Sequence, residues 1–112
     1  MIAIRVLALR TASGEVPPPI SIEAPAGTGR MWSCAFEIGW PSGQRRKQAH
    51  GVDAIQALNL ALQLIGTDLY TSNEHAEGRL RWEKAGDGYG FPVPKNLRHL
   101  LVGPTRSSAA RA

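Results

Sequence analysis

The sequence has a single cysteine, Cys34, so it closes no disulfide within itself, and a lone thiol suits a reducing compartment. It also lacks any apolar run near the ~18 residues that cross a bilayer, and its start lacks the basic-then-apolar pattern of a secretory signal. The expected location is therefore the cytoplasm, with no membrane partner. Histidine is scarce, at three residues. The only local grouping of metal-ligand types is Glu74, His75 and Glu77, in an expected loop and far in sequence from His50 and His99, so solvated loop residues are expected there and no metal. There is no Gly-Lys-Ser/Thr phosphate loop, no Gly-x-Gly-x-x-Gly between a strand and a helix, and no serine in a nucleophile-elbow setting. No cofactor and no catalytic residues are expected.

An excess of one charge is also missing from most of the chain, despite a pI near 9.8 and a net charge of +4. Residues 1–94 hold nine Lys/Arg and nine Asp/Glu, and the surplus comes from Lys95, Arg98, Arg106 and Arg111. A domain built to bind nucleic acid would carry its charge on a structured face.

What is present begins with residues 53–70, a proline-free stretch of helical period. Ile55, Leu58, Leu62, Ile65 and Leu69 fall on one side of a helical wheel, flanked by Ala54, Ala57, Ala61 and Leu64. Asp53, Gln56, Asn59, Gln63, Thr67 and Tyr70 fall opposite. Asp53 and Gln56 fit a capping box, with Gln56 reaching back to Asp53. A chain of 12.1 kDa buries about two-thirds of its surface on folding, enough for one core without staples.

Around that helix the pattern has a period of two. Residues 1–10 read as a strand with apolar side chains on both sides, Ile2, Ile4, Val6 and Ala8 against Ala3, Arg5, Leu7 and Leu9. After a turn at 11–15, Pro17, Pro18 and Pro19 exclude a central strand, so residues 20–23 are expected as a short edge strand, and 24–29 as a loop. Residues 31–40 alternate Trp32, Cys34, Phe36, Ile38 and Trp40 with smaller or polar neighbours, the clearest strand of the chain. A turn at 41–43 returns residues 44–50 antiparallel, polar on both parities, which suits an edge. Beyond the helix come a polar connection at 71–78, a short strand around Leu80 and Trp82, and a glycine-rich loop at 86–94. A short helix is expected over 95–102, with Leu97, Leu100 and Leu101 on one side.

The expected fold is α+β: an antiparallel sheet of four to five strands packed on one long helix, with a short C-terminal helix. Residues 1–103 form one domain, and 104–112 form a disordered basic tail. One helix covers one face of the sheet, so Leu7, Leu9, Met31 and Ala35 are expected to form an apolar second face, covered either by the C-terminal segment or by another subunit, as in a homodimer.

Few residues suggest chemistry. Cys34 sits on the apolar parity of the best strand, where a thiol is packing. Asp53 is used in capping, and Asp68, near the helix end, is expected to bond a backbone group or a basic strand residue such as Arg79. Tyr89 and Phe91 stand on the glycine-rich loop, where they either pack on the sheet or act as rigid aromatic anchors for a partner. Arg45, Arg46 and Lys47 form the one basic run outside the C-terminal segment, split by strand alternation between two faces. With Trp40 nearby they offer charge and stacking to nucleic acid, or they keep the edge soluble.

The run from His50 through Ala57 and Leu58, then Gly66 to Tyr70 and the loop at 86–94, resembles a family of small uncharacterised bacterial proteins over residues 31–103. That family has no assigned activity, so the resemblance implies no functional residues. A shorter likeness, hairpin strands feeding a glycine-led helix with the pair Ala57-Leu58, is to HicB-type antitoxins. The resulting expectation is a non-enzymatic interaction module, antitoxin- or immunity-like in one form, that binds another protein through Tyr89, Phe91, Arg45, Arg46 and Lys47. The alternatives are nucleic-acid binding through the basic strand edge and tail, and a small enzyme that draws together His50, His75 and Asp68.

Overall fold

The computed structural model describes residues 1–103, and the tail expected at 104–112 lies outside them. The alternation at Met31–Trp40 produces β6, the central strand, with Cys34, Phe36 and Ile38 wholly buried on one side. Pro41 and Ser42 turn the chain, and β7, Gly43–Gly51, returns antiparallel with Trp40 opposite Gly43 and Trp32 opposite Gly51. As its charge pattern requires, β7 is an edge strand.

α1, Ala54–Tyr70, starts where the capping residues are. The Gln56 N–H donates to Asp53 Oδ1 at 2.8 Å, but Gln56 Oε1 accepts from the N–H of Val52, one residue further back than expected. The helix is also rotated from the expected face: Ala57, Ala61, Ile65, Gly66, Leu69 and Tyr70 are buried, whereas Ile55 is 79 % exposed. An apolar arc covering half the circumference does not set one rotation. Small side chains set it, because Ala57 and Ala61 let the axis approach the sheet while Leu58 and Leu62 flank the contact.

Residues 3–22 form a single long hairpin interrupted by prolines. β1, Ala3–Val6, pairs with β4, Pro19–Ile22, while β2, Ala8–Thr11, pairs with β3, Gly14–Val16. Val6 lies opposite Pro19 and Leu9 opposite Val16, the register of one continuous ladder. Pro17 and Pro18 face the break and have no N–H to donate, so the expected strand at 1–10 divides at Leu7 into two sheets. β4 was expected at an edge but lies between β1 and β6. Its proline is tolerated because Pro19 is the first residue of the strand and sits against Gly39, where a Cβ would come 2.8 Å from the ring. β5, Ala26–Thr28, forms a further hairpin with β6 in the expected loop; its three exposed residues carry no apolar alternation that would have marked it.

α2, Asn73–Ala76, is one helical turn within the polar connection, and β8, Leu80–Arg81, pairs with β2. A 3₁₀ helix covers Lys95–Leu100, and Leu101 after it is buried. The fold is thus α+β, a five-stranded antiparallel sheet on one long helix with a small second sheet and a short C-terminal 3₁₀ helix. None of the described helices is long and apolar enough to cross a membrane.

The second face differs from expectation. Leu7 and Leu9 share the parity of Ala3 and Arg5, which is the parity of Ile20, Phe36 and Ile38, so both leucines are core. Ile4 and Val6 take the outer face with Met31 and Ala35.

Candidate interaction surface

Among the described residues three strands of the large sheet pair on one side only, β1, the three-residue β5 and β7, and the edges of β1 and β7 differ in character. β7 presents Gln44, Arg45, Arg46, Lys47 and Gln48, the charged guard that discourages a further strand. β1 carries one charge, Arg5, which is turned inward and stacked on Trp82, while its other face offers the apolar Ile4 and Val6. The Leu7 N–H donates to the Pro18 carbonyl at 3.1 Å, so strand alternation turns the backbone groups of Ala3 and Arg5 toward β4 and those of Ile4 and Val6 away from it. Further along this edge, β8 covers β2. Glu83, at φ +54°, and a tight turn from the Lys84 N–H to the Trp82 carbonyl then swing the chain off the sheet. Among the described residues no strand pairs with this side of β1, and Ile4 and Val6 stay 56 % and 51 % exposed.

The core-facing side of β1 borders a cleft of about 210 Å³, lined by Ala3, Ile20, Ile22, Leu62, Phe91 and Pro92. Its wall is held by Arg5. The Arg5 guanidinium carbon lies 3.9 Å from the Trp82 ring centre and 5.1 Å from that of Phe91, and Nη1 donates to the Tyr89 carbonyl at 3.0 Å. Gly90 is favoured here by its φ of +78°, which L side chains rarely adopt, and a Cβ would also stand 2.9 Å from the Trp82 ring. Replacing Arg5 with alanine is expected to cost about 1–3 kcal/mol, from the stacked cation and a charged hydrogen bond. Arg46→Ala, on an exposed edge, is expected to stay within about 0.5 kcal/mol. Urea denaturation of both variants checks the contrast.

The residues singled out in the sequence occupy three places. Tyr89 and Phe91 are only 3 % and 5 % exposed; they pack inside the loop, and Phe91 reaches the surface as a wall of the cleft. Lys47 Nζ pairs with Asp68 Oδ1 at 2.9 Å, so the partner of Asp68 is Lys47, while Arg79 pairs with Glu77 and donates to the Arg10 carbonyl. Arg46 is on the other face, opposite Glu37. Arg45 lines a polar pocket with Trp40, Asp68 and Glu74. The three basic side chains are not gathered on one patch.

His50, His75 and Asp68 are not brought together either, because each lines a different depression. No three of His, Cys, Asp and Glu among the described residues meet as metal ligands. The Cys34 thiol is buried, its Sγ 3.4 Å from the Glu23 carbonyl, and burial with the nearby Glu23 charge raises its pKa, the opposite of an activated nucleophile.

His75 Nδ1 meets the Tyr89 hydroxyl at 2.5 Å, and Tyr70 packs edge-on to the imidazole. Burial lowers the pKa of His75, whereas burial and then Tyr70 raise that of Tyr89, so both favour their neutral forms and clamp the loop to the end of α1. Because the unfolded chain takes up the His75 proton first as pH falls, stability is full above the ordinary imidazole value of 6.5 and declines below it. Thermal midpoints measured between pH 7 and pH 5 should fall less for His75→Gln than for the unaltered chain.

The chain belongs to the family described as Domain of unknown function (DUF6968), which it matches over residues 3–93. The match reaches back to β1, well before the stretch that carried the sequence resemblance. No curated protein and no solved structure matches the chain.

Proposed function

We propose that this member of the DUF6968 family is a protein-interaction module that engages another protein through the open edge of β1. The observation that supports the reading is the contrast between the two edges. An unpaired edge is normally blunted by charge, proline or a covering segment, and β7 follows that rule, whereas the edge of β1 exposes Ile4 and Val6 with their outward backbone groups unpaired among the described residues. The loop expected to carry the contact contributes through Phe91 at the cleft, and the reading places the chain in the cytoplasm, where the thiol of Cys34 stays reduced.

The test is co-purification from the native cells, followed by native mass spectrometry, of three chains: unaltered, Ile4→Lys and Arg46→Glu. A protein retained by the unaltered chain and by Arg46→Glu, but lost with Ile4→Lys, supports the reading. Equal retention by all three, or a loss with Arg46→Glu alone, overturns it.

A further inference from the structure

Resting on that reading, we infer that the occupant of the β1 edge is an extended segment of the partner protein, which adds as a strand and inserts one apolar side chain into the cleft beside Leu62 and Phe91. Three observations converge on this. Among the described residues the outward N–H and C=O groups of Ile4 and Val6 form a short run of unpaired ladder, which another extended backbone satisfies well. On the outer face Ile4 and Val6 offer apolar contacts to one parity of such a strand. On the inner face the 210 Å³ cleft lies beside Ala3 and Arg5, where the other parity points, and its size suits a single leucine-, isoleucine- or phenylalanine-sized side chain.

The run is bounded. The turn at Glu83 takes the chain off the sheet just beyond Val6, so the added strand is a few residues long. A proline at a pairing position is excluded because the ladder needs its N–H.

A second copy of this chain fits the same edge less well. A two-fold axis at Arg5 sets two guanidiniums directly opposite each other, and like charges so placed are destabilising. An axis at Ile4 sets Arg5 of the copy opposite Ala3, but that side chain is already stacked on its own Trp82 and bonded to its own Tyr89 carbonyl, so both clefts stay empty. A partner strand with an apolar residue at that position fills the cleft instead.

The test is selection of a displayed library of random short peptides on the unaltered protein and on Leu62→Trp, which fills the cleft from the helix side. Hydrogen exchange at the Ile4 and Val6 amides serves as the second readout. The expected result is enrichment of proline-free peptides with apolar residues at alternate positions, at least tenfold weaker on Leu62→Trp, and slowing of both amides by tenfold or more when a selected peptide is added. Enrichment that ignores the cleft, or unchanged exchange at Ile4 and Val6, overturns the proposal. So does slow exchange that appears with rising protein concentration alone, because a second copy then occupies the edge. In all these cases the co-purification contrast between Ile4→Lys and Arg46→Glu still decides separately whether the edge binds another protein.

Discussion

Replacing Gly66 with alanine, the best helix former, destabilises this protein even though Gly66 lies within α1. By propensity alone the change stabilises by about 1 kcal/mol. At this position a Cβ would stand 1.9 Å from the Pro92 carbonyl oxygen and 3.1 Å from a methyl of Val93, so the added carbon meets backbone that cannot rotate away. Overpacking costs about 1–3 kcal/mol, and a clash this close with backbone takes the upper end, so the expected net loss is about 2 kcal/mol. For a domain of this size that lowers the melting temperature by roughly 10 °C. Asn59→Ala, on the exposed side of the same helix, is the matched comparison and should gain a few tenths of a kcal/mol. A Gly66→Ala protein as stable as the unaltered one would mean that the loop at 91–93 does not seat on the helix.

The second large effect separates residues that look alike in the sequence. Leu9→Ala should cost about 2–5 kcal/mol, because Leu9 is fully buried in the core where a cavity would remain. Ile4→Ala, five positions earlier in the same apolar run, should cost below about 1 kcal/mol, since more than half of the side chain is already in water. Urea denaturation at low protein concentration, where edge contacts between molecules are negligible, gives both values. Equal costs would contradict the assignment of the two parities.

That pair also shows where the sequence stops being informative. Alternation over residues 1–10 identifies an extended strand and sorts its side chains into two sets. Which set meets the core depends on what covers each face, and the cover comes from distant residues: Leu62, Phe91 and Pro92 stand beside Ala3, and the guanidinium of Arg5 bonds to the carbonyl of Tyr89. β6, the edge position of β7 and the start of α1 were legible because each rests on local signals, namely alternation, a charged strand and a capping carboxylate. The rotation of α1 was not, because small residues at the contact outweighed the larger leucines beside it. The candidate surface was half legible. The loop bearing Tyr89 and Phe91 does border the cleft, but no local pattern showed that Arg5 would hold those aromatic rings inside the fold.

The pairing of β2 with β8 has a consequence for how the chain is made. Arg10 and Arg79 are 69 positions apart, so at roughly 5–20 residues per second the first strands leave the ribosome some 3–14 s before their last neighbour does. Until residues 54–70 follow, the first hairpin can close on itself, but its core side has no helix to lie against, and Leu7 and Leu9 face water together with Ile4 and Val6. The nascent chain therefore passes through a stage in which both faces of its first strand are apolar and bare, and this stage adds to its exposure to aggregation and to chaperones.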